Sequence, residues 1–159
     1  MSKSTSLDLL GRREVLIGMS AAGVALATAT LIPSGARADA AAVDAEIKKL
    51  AGSKAIKEGR ITLEVPQIAE NGNTVPISVS VDSPMTDQDY VKSVHLYAPG
   101  NPAPNVATFR FTPASGKALA STRMRLAKTQ AVIAVAEMSD GSIYRASAEI
   151  KVTIGGCGG

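Results

Sequence analysis

The chain has 159 residues, of which 45% are apolar and 19% charged, a composition that fits one globular core and is short for two. Its formal charge of +3 is not that of a nucleic-acid binder: residues 1–38 hold four of the 17 basic and two of the 14 acidic residues, leaving 13 and 12, a net of +1. One cysteine excludes an internal disulfide framework, and the single histidine, His95, excludes the multi-histidine ligand sets of blue-copper and catalytic zinc centres.

Residues 1–38 read as an export signal. A polar start carries Arg12-Arg13, followed by Glu14-Val15-Leu16, a weakly apolar stretch from Ile17 to Ile32, and then Pro33-Ser34-Gly35-Ala36-Arg37-Ala38. The small residues Ala36 and Ala38 form a cleavage motif that predicts removal after Ala38. The adjacent arginines resemble the twin-arginine signal, whose cargo crosses the bacterial inner membrane already folded. The apolar run is short, rich in Ala, Gly and Thr, and lacks a charged stop-transfer flank, which disfavours a retained anchor. The expectation is a mature periplasmic protein with no membrane attachment.

Residues 39–58 form a helix and linker in this reading. Val43, Ile47 and Leu50 fall at helical spacing, and Lys48 and Lys49 lie where they oppose the helix dipole, with an end expected near Gly52. From residue 59 the period changes to two. Ile61, Leu63 and Val65 alternate with polar residues, as do Val75, Ile77, Val79 and Val81. Further strands are expected over 91–98, 106–112, 119–127, 131–138 and 143–154, separated by turn signals at Asn71-Gly72-Asn73, Asp82-Ser83-Pro84, Pro99-Gly100-Asn101-Pro102, Pro113-Ala114-Ser115-Gly116 and Asp140-Gly141.

Aromatic residues make up only 3% of the chain and Trp is absent, so the core has to be built from aliphatic side chains, which favours β-branched strands. About seven strands over 59–154 predict an all-β, immunoglobulin-like sandwich. Arg123, Arg125 and Lys128 are read as alternating along one strand face exposed to solvent, Met124 as the one methionine of Met85, Met124 and Met138 at a core position, and Ala131 to Ala136 as an apolar stretch able to pair with another subunit. His95, in Val94-His95-Leu96-Tyr97, fits packing or a surface role better than ligation.

The chain ends Gly155-Gly156-Cys157-Gly158-Gly159. A structural cysteine belongs in an apolar core position, whereas this one sits among four glycines with nothing to pack. Five residues beyond Ile154 can extend at most about 17 Å, so residues 155–159 read as a flexible arm that can present a thiol to several partners. An unperturbed thiol titrates near about 8.5, only a few per cent is thiolate at neutral pH, and the adjacent C-terminal carboxylate disfavours the anion further. With no activating group in the local sequence, activation has to come from a partner's site.

A paired-arginine signal at Arg12-Arg13, a β-rich domain of this size and a terminal Gly-Gly-Cys-Gly-Gly resemble the SoxY family, the sulfur-carrier subunits of the thiosulfate-oxidising Sox system. The resemblance implies that Cys157 is the attachment residue and that Gly155, Gly156, Gly158 and Gly159 form a swinging arm. It further implies no resident cofactor, a covalent sulfur or thiosulfate intermediate on Cys157, and no catalytic role for this chain. The implied partners are a SoxZ-like β-sandwich subunit, a c-type cytochrome that couples thiosulfate to the thiol, a sulfate-releasing hydrolase and a sulfane dehydrogenase. Two other readings stand beside it: an exported structural sandwich whose cysteine cross-links to another chain, and a diglycine-ended, ubiquitin-like sulfur carrier, which the export signal and the cysteine argue against.

Overall fold

Val75, Ile77, Val79 and Val81 alternate with Pro76, Ser78 and Ser80, a pattern that buries one strand face and leaves the other to solvent. In the computed structural model, which describes residues 40–156, this run is the middle strand of a three-stranded sheet, and all four aliphatic side chains are buried. The elements in chain order are α1 (Ala40–Ala51), β1 (Ile56–Lys57), β2 (Ile61–Glu64), β3 (Ile68–Asn71), β4 (Val75–Val81), β5 (Val91–Tyr97), β6 (Asn105–Arg110), β7 (Ala118–Met124), β8 (Gln130–Met138) and β9 (Ile143–Ile154). The expected sandwich is observed, with nine described strands rather than about seven.

The small sheet has the order β2-β4-β7 and is antiparallel throughout. The large sheet runs β1-β9-β8-β5-β6, with β3 added to the far end of β9. The two extra strands, β1 and β3, both pair in parallel with β9, one at each end of it. Between the sheets lies an aliphatic core that includes Val79, Val94, Leu96, Leu126, Val132, Ala134 and Ile150.

A second cluster covers the outer face of the large sheet. Val43, Ile47 and Ala51 of α1 pack on Tyr97, Ile133, Val135 and Ile143, while Leu50 is only partly buried beside them. The helix stops where expected: Gly52 takes a φ of 61° and donates its N–H to the Lys48 carbonyl at 2.9 Å, a left-handed cap. Arg145 pairs with Asp44 at 3.5 Å across the same contact.

Three expectations are corrected here. Residues 132–136 of β8 are all buried within this chain, between the small sheet on one side and α1 on the other, so the Ala131–Ala136 stretch, apart from exposed Ala131, is core rather than a subunit face. Met85 and Met138 are buried together with Met124, because the aromatic-poor core uses flexible thioethers as filler. Strand β7 ends at Met124 rather than continuing to 127, so Arg123, Arg125 and Lys128 do not share one strand face. The chain leaves the sheet there because the backbone of Leu126 bonds to Gly72 and Gly156 instead of to a neighbouring strand. The Asp140-Gly141 turn forms as read: Gly141 has a φ of 75°, and Ser142 donates its N–H to Asp140 Oδ1 at 2.7 Å. The hydrogen bonds to Ser142 hold the Asp140 carboxyl below the usual carboxylate range.

Candidate functional site

Strand β9 carries the chain out of the sandwich toward its terminus. Of the expected site residues, Gly155 and Gly156 fall within the described residues, and both lie against the body of the domain. Arg12, Arg13, Ala36, Ala38, Cys157, Gly158 and Gly159 lie outside the described residues.

Three backbone segments meet where β9 ends. The Gly72 N–H donates to the Ile154 carbonyl at 2.7 Å, the Leu126 N–H donates to the Gly72 carbonyl at 2.8 Å, and the Gly156 N–H donates to the Leu126 carbonyl at 2.8 Å. These are good amide geometries and satisfy backbone groups that would otherwise be left at a strand end. The approach is close enough to require glycine. A Cβ on Gly72 would strike the Leu126 carbonyl oxygen, one on Gly155 the Ala127 carbonyl oxygen, and one on Gly156 the Gly72 carbonyl.

The loop that receives Gly156 is itself braced. Asn101, only 6% exposed, donates from Nδ2 to the Arg125 carbonyl at 2.7 Å and accepts the Ala127 N–H on Oδ1 at 2.9 Å. Gln130 Nε2 donates to the same Oδ1 at 2.9 Å, while Gln130 Oε1 accepts the Gly100 N–H at 2.6 Å. Thr129 Oγ1 accepts the Val152 N–H at 2.9 Å, tying the loop to β9. A buried amide with its donor and acceptor both engaged fixes the path of residues 125–127. On the other side, the Asn73 N–H donates to Asn71 Oδ1 at 2.9 Å, which sets the turn carrying Gly72.

Sequence reasoning identified Gly72, Gly100 and Asn101 as turn residues only. The Asn-Gly-Asn and Pro-Gly-Asn-Pro signals are real, but nothing local shows that these turns converge on the terminus. Leu126 carried no signal beyond strand membership, and Gln130, just outside the expected strand over 131–138, carried none.

His95 lies elsewhere, on the outer face of the large sheet. Its Nε2 is 3.0 Å from Ser93 Oγ and its Nδ1 is 3.1 Å from Thr108 Oγ1, and its ring stacks on Tyr97 with centroids 6.3 Å apart. Burial lowers its pKa; the Glu137 and Glu46 carboxylates oppose that shift, and Arg110 adds to it. The neighbouring Tyr97 hydroxyl is buried without a hydrogen-bond partner, and burial together with Glu46 pushes its pKa up to about 12. Among the described residues no three His, Cys, Asp or Glu side chains gather as a metal site.

The fold and the terminus together define a class: an aliphatic β-sandwich whose last strand delivers the chain's one cysteine through a glycine segment seated at the rim. The chain belongs to the SoxY family of sulfur-oxidation proteins. The family model described as sulfur oxidation protein SoxY matches residues 47–157. Among solved structures, the chain is similar to the sulfur carrier protein SoxY from Chlorobium limicola f thiosulfatophilum, with 37% identity over 73% of this chain and 100% of that one and a TM-score of 0.61. It is also similar in fold to a superoxide reductase (neelaredoxin) from Ignicoccus hospitalis, with 20% identity over 59% of this chain and 80% of that one and a TM-score of 0.53. A putative superoxide reductase from Thermotoga maritima gives the same TM-score of 0.53 at 19% identity, over 61% of this chain and 93% of that one. The two reductases share the sandwich architecture. No match is found among curated proteins.

Proposed function

We propose that this chain is an exported, periplasmic sulfur carrier that holds a thiosulfate-derived intermediate covalently on Cys157. The observation that carries the reading is that the family match runs to Cys157 itself, the chain's one cysteine, immediately after a glycine seated at the surface end of β9.

The chemistry follows from a thiol presented without a local activating group. The Cys157 thiolate and thiosulfate join through a new sulfur–sulfur bond, giving a thiosulfonate adduct and releasing two electrons to a c-type cytochrome partner. Water then attacks the terminal sulfonate sulfur in a hydrolase partner's site. That sulfur leaves as sulfate, and a persulfide remains on the cysteine for oxidation by a sulfane dehydrogenase. This chain binds and presents, while its partners supply oxidant, base and water. A SoxZ-like sandwich subunit is proposed as the constant companion, exported with it by the twin-arginine route through Arg12 and Arg13, with the signal removed after Ala38. Gly158 and Gly159 let Cys157 enter a narrow partner site without steric rejection.

Intact mass spectrometry of the mature protein from cells given thiosulfate tests the reading. The expected result is a reductant-labile adduct of sulfur or thiosulfate mass that is lost in Cys157→Ser, with the melting temperature unchanged. An unmodified thiol, or a plain disulfide-linked homodimer under all conditions, would support a cross-linking structural sandwich instead.

A further inference from the structure

A carrier arm that hung free from the last strand would leave Gly155 and Gly156 without contacts. Instead, residues 154–156 thread between the Asn71–Asn73 turn and the Leu126–Ala127 segment. The hydrogen bonds Gly72 N–H to Ile154, Leu126 N–H to Gly72 and Gly156 N–H to Leu126 measure 2.7, 2.8 and 2.8 Å. A methyl group at any of the three glycines would collide with backbone on the facing segment, and backbone cannot swing aside as a long side chain can.

We infer that this junction is a socket for the carrier arm. Gly72 and Leu126 hold Gly156, so that the chain is fixed through Gly156 rather than released at the end of β9. Gly72, Gly155 and Gly156 are positioning residues for Cys157, with Asn101 as the brace behind the socket. The inference takes its purpose from the carrier reading; the socket itself does not depend on which group Cys157 carries.

Two consequences follow from chain geometry. Consecutive Cα atoms lie about 3.8 Å apart, so covalent geometry keeps the Cys157 thiol within about 7 Å of the seated Gly156, not the length of a five-residue arm away from the domain. Every partner that works on Cys157 therefore has to approach the rim formed by Asn71, Asn73 and residues 125–128. The glycines before the cysteine and those after it also differ in role: the first pair lets the backbone seat in the socket, and the second pair lets the thiol enter a partner.

Backbone hydrogen exchange of the full mature chain, read at the Gly156 amide, tests this together with the mobility of a nitroxide attached to Cys157. In the unsubstituted protein the Gly156 amide should exchange at least about tenfold more slowly than in an unstructured chain. Gly155→Ala and Gly72→Ala should abolish that protection and narrow the nitroxide spectrum, while the Val79 amide in the small sheet stays protected. Should Gly72→Ala fail to fold, Gly155→Ala, at the very edge of the domain, decides alone. Free-chain exchange at Gly156 in the unsubstituted protein, or protection that survives Gly155→Ala, would overturn the socket. Neither readout needs a carried sulfur group on Cys157, so loss of the carrier reading would show separately, as absence of the adduct by mass.

Discussion

His95 has a hydroxyl at each ring nitrogen and Tyr97 stacked against it, a setting that suits the neutral imidazole. Its pKa in the folded protein lies below the ordinary value of 6.5 because burial penalises the cation more than Glu137 and Glu46 favour it, with Arg110 acting in the same direction as burial. Below about 6.5 the unfolded chain therefore binds a proton more readily than the folded one. The stabilising contribution is complete above the unfolded pKa and is lost as pH falls toward the folded value. His95→Gln should consequently flatten the decline in melting temperature between about pH 7 and pH 5. Thermal melts across that range check this, and an unaltered slope would show that another group governs the decline. The same scale explains Asn101. Replacing it with Ala strands the Arg125 carbonyl and the Ala127 N–H, at a cost of roughly 1–3 kcal/mol.

At the scale of elements, α1 is joined to the sandwich chiefly through Val43 and Ile47, both fully buried against Tyr97, Ile133, Val135 and Ile143. Ile47→Ala should cost roughly 2–4 kcal/mol in urea unfolding, since a close-packed site refills poorly. Leu119→Ala, on the outer face of the small sheet and 56% exposed, should stay within about 0.5 kcal/mol. Equal losses at the two sites would mean that the Leu119 face is covered in the folded protein. These elements were legible for two reasons: α1 repeats every 3.6 residues and β2 and β4 every two, while β5 and β8 are apolar runs, buried on both faces, set off by turn signals. The strands that were missed, β1 and β3, are short and show no alternation, and they exist only because β9 offers them an edge in parallel register. The overlong reading of β7 failed for a related reason. Residues 125–127 still alternate, yet their backbone is claimed by Asn101, Gly72 and Gly156 rather than by a strand. Cys157 stood out in the sequence as a thiol with no core to enter. The seating of Gly155 and Gly156 did not, because contact between backbones leaves no mark on side-chain pattern.

For the molecule as a whole, a socketed arm limits how two copies can meet. In the proposed periplasmic setting, Cys157 should form a disulfide with a second Cys157, giving a dimer outside the carrier cycle. Disulfide-bonded Cα atoms lie at most about 6.8 Å apart, and each Cys157 Cα is about 3.8 Å from its Gly156, so the two Gly156 residues must come within about 14 Å. That brings the two Asn71–Asn73 turns and the two 125–128 loops face to face and leaves few relative orientations. Arms free from Ile154 onward would instead allow separations near about 28 Å and a broad spread of arrangements. Air oxidation followed by a non-reducing gel should show a reducible dimer that is absent in Cys157→Ser. Small-angle scattering from that dimer should give one compact distance distribution, and Gly155→Ala should broaden it. A dimer as broad in the unsubstituted protein as in the variant would mean that the arm moves from the end of β9. Failure to form any reducible dimer would mean that the thiol is shielded from a second copy.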